Sequence, residues 1–393
     1  MKHLQSSARL CHLASPRFFY LFTFLLFYLF SACTNDDTYS LDDFTQNITP
    51  QTSDTLNVSI AYNGTTASVT GDVSLLNISQ KGADVTITST TTKHLQLTVS
   101  GTSPDGSLLV YSQTKYGMTL NGLTLTNADG PAINNQCSKA LYLTLADGTT
   151  NTLADGTAYA EQTFDQKATF FSEGQIYVGG KGTLTINAGT KNGIASDDYI
   201  IVQNGTLNVN VAKTGSNGMK ANDGITIEGG ALNIDVKADG ARGIRCEART
   251  TISGGETTIN TSGDCLLETV DGITDTTSCA GIKSDSLFTM TAGKLVITSS
   301  GDGGKGINCS ENVEFSGGTL SVTTTGTNDI GKPKGVKSDT GIIVSGGSFV
   351  VKVSKSWACD NGIETEDASA RLTIKGSPTT LNLQKRSVTV IYP

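Results

Sequence analysis

The stretch GMKANDGITIEGGALNIDV, residues 218–236, decides the fold. Apolar and polar residues alternate through Ile225 and Ile227, the pair Gly229-Gly230 interrupts them, and the alternation resumes over residues 232–236. A period of two is the period of a β-strand, and glycine allows the positive φ that a tight turn requires. The stretch therefore predicts short strands separated by glycine turns.

The same unit recurs along the chain, each time around a glycine that precedes an apolar residue. These glycines are 25, 25, 38, 25, 29 and 27 residues apart, at Gly193, Gly218, Gly243, Gly281, Gly306, Gly335 and Gly362. Such a unit cannot bury its apolar edges alone and must stack on copies of itself. The sequence predicts an all-β chain, a right-handed parallel β-helix (solenoid) of roughly 25-residue coils. A β-propeller needs blades of about 40 to 50 residues, and a β-sandwich would not repeat in this way.

The amino terminus predicts export. Residues 1–17 carry three basic groups and no acid, and an apolar run follows that is short for a membrane span of about 20 residues. Residues 29–33, LFSAC, resemble a lipoprotein box, which would make Cys33 the acylated first residue; ordinary signal cleavage that leaves a free Cys33 is the alternative. The following TNDD, residues 34–37, resembles the export signal of surface lipoproteins of Bacteroidetes-type bacteria.

These features predict three segments. Residues 1–32 are a lipoprotein signal peptide, residues 33–55 a flexible tether, and residues 56–393 a parallel β-helix. Within the β-helix, residues 56–190 form irregular coils and residues 191–393 regular repeats. We expect the protein at the outer membrane, lipid-anchored through Cys33 and exposed at the cell surface.

Composition excludes several classes of function. The formal net charge of −8 becomes −11 without the leader, so nucleic acid is not an expected partner. Two of the three histidines, His3 and His12, lie in the leader, which leaves His94. One histidine excludes a multi-histidine zinc site and makes Ser/His/Asp hydrolysis improbable. Aromatic residues are few, so sugar binding must depend more on charge and metal.

Stacking turns repeat positions into columns. The position two after the repeat glycine carries four cations, which we take as candidate ligand-binding residues: Lys220, Arg245, Lys283 and Lys337. Positions four or five after it are acidic, and five aspartates are candidate calcium ligands: Asp197, Asp198, Asp223, Asp285 and Asp339. Acids and cations either form a solvated salt-bridge ladder, or they form a groove for an acidic polysaccharide in which carboxylates supply oxygen ligands to Ca²⁺.

The cysteines are expected to fill or staple the coils. Cys246 and Cys309 fall three residues after the repeat glycine, in a column that should point inward. Cys265 and Cys279 bracket the insertion in the 38-residue spacing, so a disulfide between them would close that loop in an oxidising compartment. Neither Cys137 nor Cys359 receives an assignment.

Two further stretches carry a family resemblance: residues 120–133, LNGLTLTNADGPAI, and residues 145–156, LADGTTNTLADG. Together with the Gly-Ile-x-x-x-Asp and Gly-Gly-x-Leu repeats, they resemble bacterial carbohydrate-binding domain proteins of parallel β-helix fold, first described in a cellulosome-forming Clostridium. The resemblance extends over residues 56–393. It implies a calcium-containing β-helix, similar in form to pectate lyases, that binds cellulose-type and acidic pectin-like glycans without established cleavage.

Three hypotheses follow. The favoured one is a surface lipoprotein that binds acidic, polygalacturonate-like polysaccharide non-catalytically with Ca²⁺. The second is a polysaccharide lyase, in which a column cation near Ca²⁺ would take a proton beside a uronate carboxylate. The third is a structural or adhesive surface protein.

Overall fold

The computed structural model describes residues 54–327, 331, 333–353, 363–365, 371–374 and 380–384, all within one compact unit. In these ranges the chain forms strands and turns and no helix. None of the described segments forms a helix that would cross a membrane. The strands stack as a β-solenoid of about 11 turns, roughly 25 residues apart, which confirms the predicted parallel β-helix.

Three ladders of strands run along the solenoid, parallel from coil to coil except at the first strand of ladder 1, and each regular coil contributes one strand to each ladder. Ladder 1 contains β3 (Leu76–Lys81), β4 (Asp84–Ser89), β6 (Ser107–Ser112), β8 (Ile133–Asn135), β11 (Ala168–Ser172), β14 (Asn192–Ser196), β17 (Asn217–Ala221), β20 (Arg242–Cys246), β25 (Ala280–Ser284), β28 (Lys305–Cys309), β31 (Lys334–Ser338) and β34 (Ile363–Thr365).

Ladder 2 contains β9 (Leu141–Leu145), β12 (Ile176–Gly180), β15 (Tyr199–Val202), β18 (Gly224–Ile227), β21 (Arg249–Ile252), β26 (Phe288–Met290), β29 (Val313–Phe315), β32 (Gly341–Val344) and β35 (Arg371–Ile374). Ladder 3 contains β10 (Thr150–Asp155), β13 (Thr183–Ala188), β16 (Thr206–Val211), β19 (Ala231–Val236), β22 (Glu256–Thr261), β27 (Lys294–Ser299), β30 (Thr319–Thr324), β33 (Ser348–Val353) and β36 (Thr380–Gln384).

The first coils differ from the regular ones because their strands are longer. β7 (Tyr116–Asn127) pairs with both β9 and β10, so one strand serves ladders 2 and 3. It also pairs in parallel with β5 (His94–Ser103), with a shift in register between Val99 and Gly101. β5 in turn pairs in parallel with β1 (Thr55–Asn63).

Reversed strands cap the amino-terminal end of the solenoid. β2 (Thr66–Gly71) is antiparallel to β1, and β3 is antiparallel to β4. Val69 and Ile78, from these capping strands, pack against the core but stay partly exposed. The two strands therefore cover the apolar residues of the terminal coil.

The inward positions form one continuous core. In ladder 1 the residue after each repeat glycine is fully buried, as at Ile194, Met219, Ile244, Ile282, Ile307 and Val336. Full burial of such a side chain contributes about 1.5–3 kcal/mol relative to exposure. Coil-to-coil stacking of these residues is what holds the solenoid together.

A second inward column contains small residues, of which the serines and cysteines hydrogen-bond to the turn between ladders 1 and 2. Ala221, Cys246, Ser284, Cys309 and Ser338 lie in register on successive coils. The Ser284 hydroxyl donates to the carbonyl of Ala248 at 2.7 Å, and the Cys309 thiol donates to the carbonyl of Ser286 at 2.7 Å. Cys246 and Cys309 are fully buried, which confirms their inward placement.

The 38-residue spacing contains a projecting hairpin. β23 (Leu266–Val270) and β24 (Ile273–Thr277) pair antiparallel around Asp271 and Gly272, both at positive φ. This is the Asp-Gly turn of a tight β-hairpin. The hairpin replaces the disulfide-closed loop expected from the sequence.

The expected disulfide is absent from the structure, which does not join Cys265 to Cys279. The Cys279 thiol is buried and donates to the carbonyl of Asp264 at 3.1 Å. Cys265 faces Gly331, two coils farther along the solenoid. Cys137, which the sequence left unassigned, is also a buried free thiol, and Cys359 lies outside the described residues.

Candidate functional site

The four predicted ligand-binding cations lie in one outward column of ladder 1. Lys220 is paired in register with Arg245, Arg245 with Lys283, and Lys283 with Asn308, which is followed by Lys337. Adjacent coils are about 4.8 Å apart. Their side chains are 13 to 29% exposed, so each cation keeps a limited contact with solvent.

Acids of the same or a neighbouring coil neutralise this column. Lys220 Nζ lies 2.9 Å from Glu247 Oε1, and Lys337 Nζ lies 3.1 Å from Asp339 Oδ1. The Asp285 carboxylate pairs with Arg245 through one oxygen and lies 3.0 Å from Lys283 Nζ through the other. The salt-bridge ladder that the sequence allowed is therefore present.

The pKa of Asp285 reflects these pairs. Burial alone would raise the pKa of this carboxyl, but hydrogen bonds from Arg245 and Lys283 outweigh burial and hold it below its usual value. Asp285 therefore stays charged and paired near neutral pH, which leaves it poorly suited to release its cations for a metal.

A groove of about 380 Å³ opens where the chain enters ladder 1 on four successive coils. Five cations and one acid line it. The lining residues are Lys167, Lys191, Asn192, Gly215, Ser216, Asn217, Lys220, Arg242, Arg245 and Glu247. Acids pair with three of these cations, and the positive charge of the other two, Lys191 and Arg242, favours an anionic ligand.

Arg242 differs from the other cations of the groove. It is half-buried, and no carboxylate among the described residues forms a salt bridge with it. Burial lowers the pKa of Arg242, and the positive charge of Arg245 lowers it further. By contrast, Lys191 Nζ donates to the carbonyl of Gln166 at 2.5 Å and lies 5.2 Å from the Tyr159 ring centroid. Arg242 is thus the guanidinium best placed to take an anion from a ligand.

Sequence reasoning missed Arg242, although a signal was present. On three of the coils the residue directly before the repeat glycine is a cation: Arg242, Lys305 or Lys334. This position is a second basic column, separate from the one two residues after the glycine. Lys305 and Lys334 are buried, and Lys305 donates to Ser278 and Gly331. Of these three cations, only Arg242 lines the groove.

One of the five predicted metal ligands joins a carboxylate cluster. Oxygens of Asp197, Asp165 and Glu173 lie within 4.8 Å of one another. Lys167 Nζ bridges two of them, 2.6 Å from Asp165 Oδ2 and 2.5 Å from Asp197 Oδ2. Burial raises the pKa of Glu173, and the negative charge of Asp197 raises it further. The cluster offers oxygen ligands of the kind that Ca²⁺ takes, and Lys167 compensates their charge.

The other four predicted metal ligands lie elsewhere. Asp198 accepts a hydrogen bond from Gln175, and its pKa is raised by burial and by the charge of Asp223 on the next coil. Asp285 and Asp339 are occupied by the column cations. In the part of the chain that the structure describes, none of these four belongs to a group of three metal-ligating side chains. Cys33, the predicted acylation site, lies outside the described residues.

Comparisons with known proteins agree on one family. A family model described as carbohydrate-binding domain-containing protein matches residues 81–243 and 235–329. A protein of Acetivibrio thermocellus with that same description is 32% identical over 123 residues, which are 30% of this chain and 43% of the relative. The match thus spans less than half the length of this relative.

A solved structure, the polysaccharide lyase-like protein from C. thermocellum in a gadolinium derivative, is similar in fold. The TM-score is 0.53 at 26% sequence identity, over 66% of this chain and 97% of that chain. The residues matched by the family model include the coils that build the groove.

Proposed function

Since the chain belongs to the carbohydrate-binding domain-containing protein family, we propose that it binds an acidic polysaccharide in the basic groove without cleaving it. Family membership supports polysaccharide binding in general. The acidic character of the ligand is inferred from the groove, where Lys191 and Arg242 form no salt bridge with a described carboxylate. Arg242 carries the proposal, because its guanidinium is half-buried and has no carboxylate partner among the described residues.

The chemistry of the groove suits a uronate. Guanidinium groups bind carboxylates through two parallel hydrogen bonds, and Arg242 has its donors available for this. Asn192 and Asn217 line the same groove and offer amide groups to sugar hydroxyls. Their side chains are already aligned, since Asn217 Nδ2 donates to Asn192 Oδ1 at 2.8 Å.

Calcium is the second part of the proposal. Asp165, Glu173 and Asp197 would supply carboxylate oxygens once the ion displaced Lys167, which also lines the groove, from the two aspartates. With one oxygen from each, three carboxylates fall short of the six to eight oxygens that Ca²⁺ takes, so water or a ligand carboxylate would complete the shell. A related structure was solved as a gadolinium derivative, and gadolinium is likewise a hard, oxygen-seeking cation.

Binding of the protein to polygalacturonate and to a neutral glucan tests the proposal. Arg242→Gln should weaken polygalacturonate binding about tenfold or more, because a hydrogen bond to a charged group contributes about 1.5–3 kcal/mol. Arg249→Gln is the matched control, since Arg249 is an exposed arginine on ladder 2 outside the groove. Equal losses for the two variants would contradict the placement of the site.

The calcium part has its own test. Excess Ca²⁺ should raise the melting temperature and tighten polygalacturonate binding, and a chelator should reverse both. Glu173→Gln should remove the response, whereas Glu228→Gln, outside the carboxylate cluster, should keep it. A calcium response of the same size in both variants would place the metal elsewhere.

Cleavage is the second candidate function, and Arg242 is the observation that favours it. A lyase needs a base to take the proton beside the uronate carboxylate, and the lowered pKa of Arg242 is a change in that direction. Absorbance of an unsaturated product during incubation with polygalacturonate would establish cleavage. Binding without that absorbance would leave a non-catalytic protein.

The location of the protein is also part of the proposal. We infer lipid anchoring through Cys33 at the outer membrane and exposure at the cell surface, on the strength of the leader and the residues that follow it. A lipid anchor at the cell surface would expose the groove to extracellular polysaccharide.

A further inference from the structure

The hairpin of β23 and β24 stands beside the carboxyl-terminal end of the groove. The groove extends over the coils of Lys167, Lys191, Asn217 and Arg242, about 14 Å at the strand spacing of a sheet. The hairpin leaves the solenoid in the next coil, at the same corner where the chain enters ladder 1. It therefore occupies the position through which a ligand chain would continue along the solenoid.

Contacts at the base of the hairpin fix it against the wall of the groove. Leu266 packs on Gly240 so closely that a side chain at residue 240 would overlap with it. The Gly240 amide donates to the carbonyl of Asp264 at 2.8 Å, and the Asp264 amide donates to Asp239 Oδ1 at 2.8 Å. Gly240 lies two residues before Arg242, so the hairpin is joined to the turn that positions the unpaired guanidinium.

The hairpin and its flanks are acidic throughout. Residues 264–279 contain four acids and no basic residue. Glu268 is held in place by Thr277, whose hydroxyl donates to Glu268 Oε2 at 2.8 Å across the strand pair. The charge of Glu268 acts on Arg242 and opposes the lowering of its pKa by burial and by Arg245. A negative charge thus stands at the end of a positive groove.

We propose that this acidic hairpin is a specificity element that ends the groove, so that the protein takes a short acidic oligosaccharide or the end of an acidic chain. The inference rests on the proposed function. Steric bulk blocks a chain from passing toward Lys283 and Lys337, and the charge of Glu268 repels the next carboxylate. The hairpin therefore divides the basic column into two parts that one ligand does not bridge.

The repeat itself provides the test variant. Deletion of residues 265–277 removes thirteen residues and restores the 25-residue spacing between Gly243 and Gly281. It also places Asp264 four residues before the repeat glycine, as Asp239 is on the preceding coil. Affinities are measured for galacturonate oligomers of increasing length.

The unmodified protein should reach a plateau of affinity once the oligomer fills the groove. The deletion variant should bind short oligomers equally well and long ones about twofold to fivefold more tightly, because further cations become reachable. The same length dependence in both proteins would overturn the inference while the proposed function stands. Absence of binding by the unmodified protein at every length would overturn the proposed function itself.

A point substitution tests the charge without depending on the refolding of the deletion variant. Glu268→Gln should tighten the binding of long oligomers about twofold to fivefold, the effect of one exposed charge pair. Glu314→Gln on ladder 2, away from this corner, is the control and should leave affinity unchanged. Equal affinities for these two variants would overturn the role of Glu268.

Discussion

Substitution of the repeat glycine Gly218 by alanine should destabilise the solenoid through a clash between coils. A Cβ at residue 218 would lie 2.6 Å from the carbonyl oxygen of Gly243 and 2.5 Å from Ile234 Cγ2. The first distance is 0.8 Å short of the 3.4 Å at which ordinary contact begins, and the atom it meets is backbone. Relief therefore requires two coils to move apart.

Overpacking of this kind costs about 1–3 kcal/mol. Alanine also lowers the conformational entropy of the unfolded chain, which stabilises the folded state by about 0.4–1 kcal/mol. The net expectation for Gly218→Ala is a loss of about 1–2 kcal/mol, or about 1–3 °C in melting temperature for a chain of this size. Circular dichroism measures the melting temperature, and hydrogen exchange should show the loss of protection in β17 and β20.

Gly224→Ala is the matched control, six residues away on β18 of the same coil. A Cβ there would lie 3.6 Å from Tyr199 Cδ1 and 3.7 Å from the carbonyl oxygen of Arg249, which is ordinary contact. This variant should be neutral or slightly stabilised. If Gly218→Ala were as stable as Gly224→Ala, close approach between coils would not be the reason for glycine at this position.

Three further predictions concern the thiols, one ion-paired acid and the anchor. Iodoacetamide should modify Cys265 in the folded protein far faster than Cys279 or Cys309, because Cys265 is only partly buried; the other two thiols are buried, and burial raises their pKa to about 11. Uniform labelling would contradict their placement. The pKa of Asp285 is lower in the folded protein than in the unfolded chain. Its charge therefore stabilises the fold fully above the unfolded pKa, and this stabilisation is lost as the pH falls through the folded pKa. Asp285→Asn should therefore lower the denaturation midpoint at neutral pH and converge with the unmodified protein in strong acid; a constant difference across the titration would exclude this linkage. Cys33→Ala should move the protein from the membrane fraction to the soluble fraction, and retention in the membrane would point to another anchor.

The columns of ladder 1 were predictable because every position in a fixed repeat keeps its place on the next coil. Lys220 and Arg245, 25 residues apart, lie in register for that reason, and the buried thiols of Cys246 and Cys309 follow from the same alternation. However, the spacing along the sequence does not give the distance between side chains in neighbouring columns. Which acid forms a salt bridge with each column cation, and which cation forms none, depends on side-chain length and conformation at the turns that flank ladder 1.

The hairpin was misjudged although its signal was in the sequence. Asp271-Gly272 between two alternating stretches is a strong indication of a tight hairpin, whereas the flanking Cys265 and Cys279 favour a disulfide when the spacing alone is considered. Antiparallel pairing closes the insertion by backbone hydrogen bonds, so no covalent link is needed. The carboxylate cluster was also out of reach, because Asp165 and Glu173 lie in coils that do not keep the 25-residue spacing.

The reversed strands β2 and β3 bear on whether such rods can grow into filaments. A stack of parallel strands ends in a row of unpaired backbone groups, which is a template for adding the next molecule. At the amino-terminal end, β2 and β3 run against the direction of the strands they cover, so this surface has the wrong polarity to continue a parallel ladder. Head-to-tail polymerisation through this end is thereby disfavoured, although the coils themselves are stackable repeats.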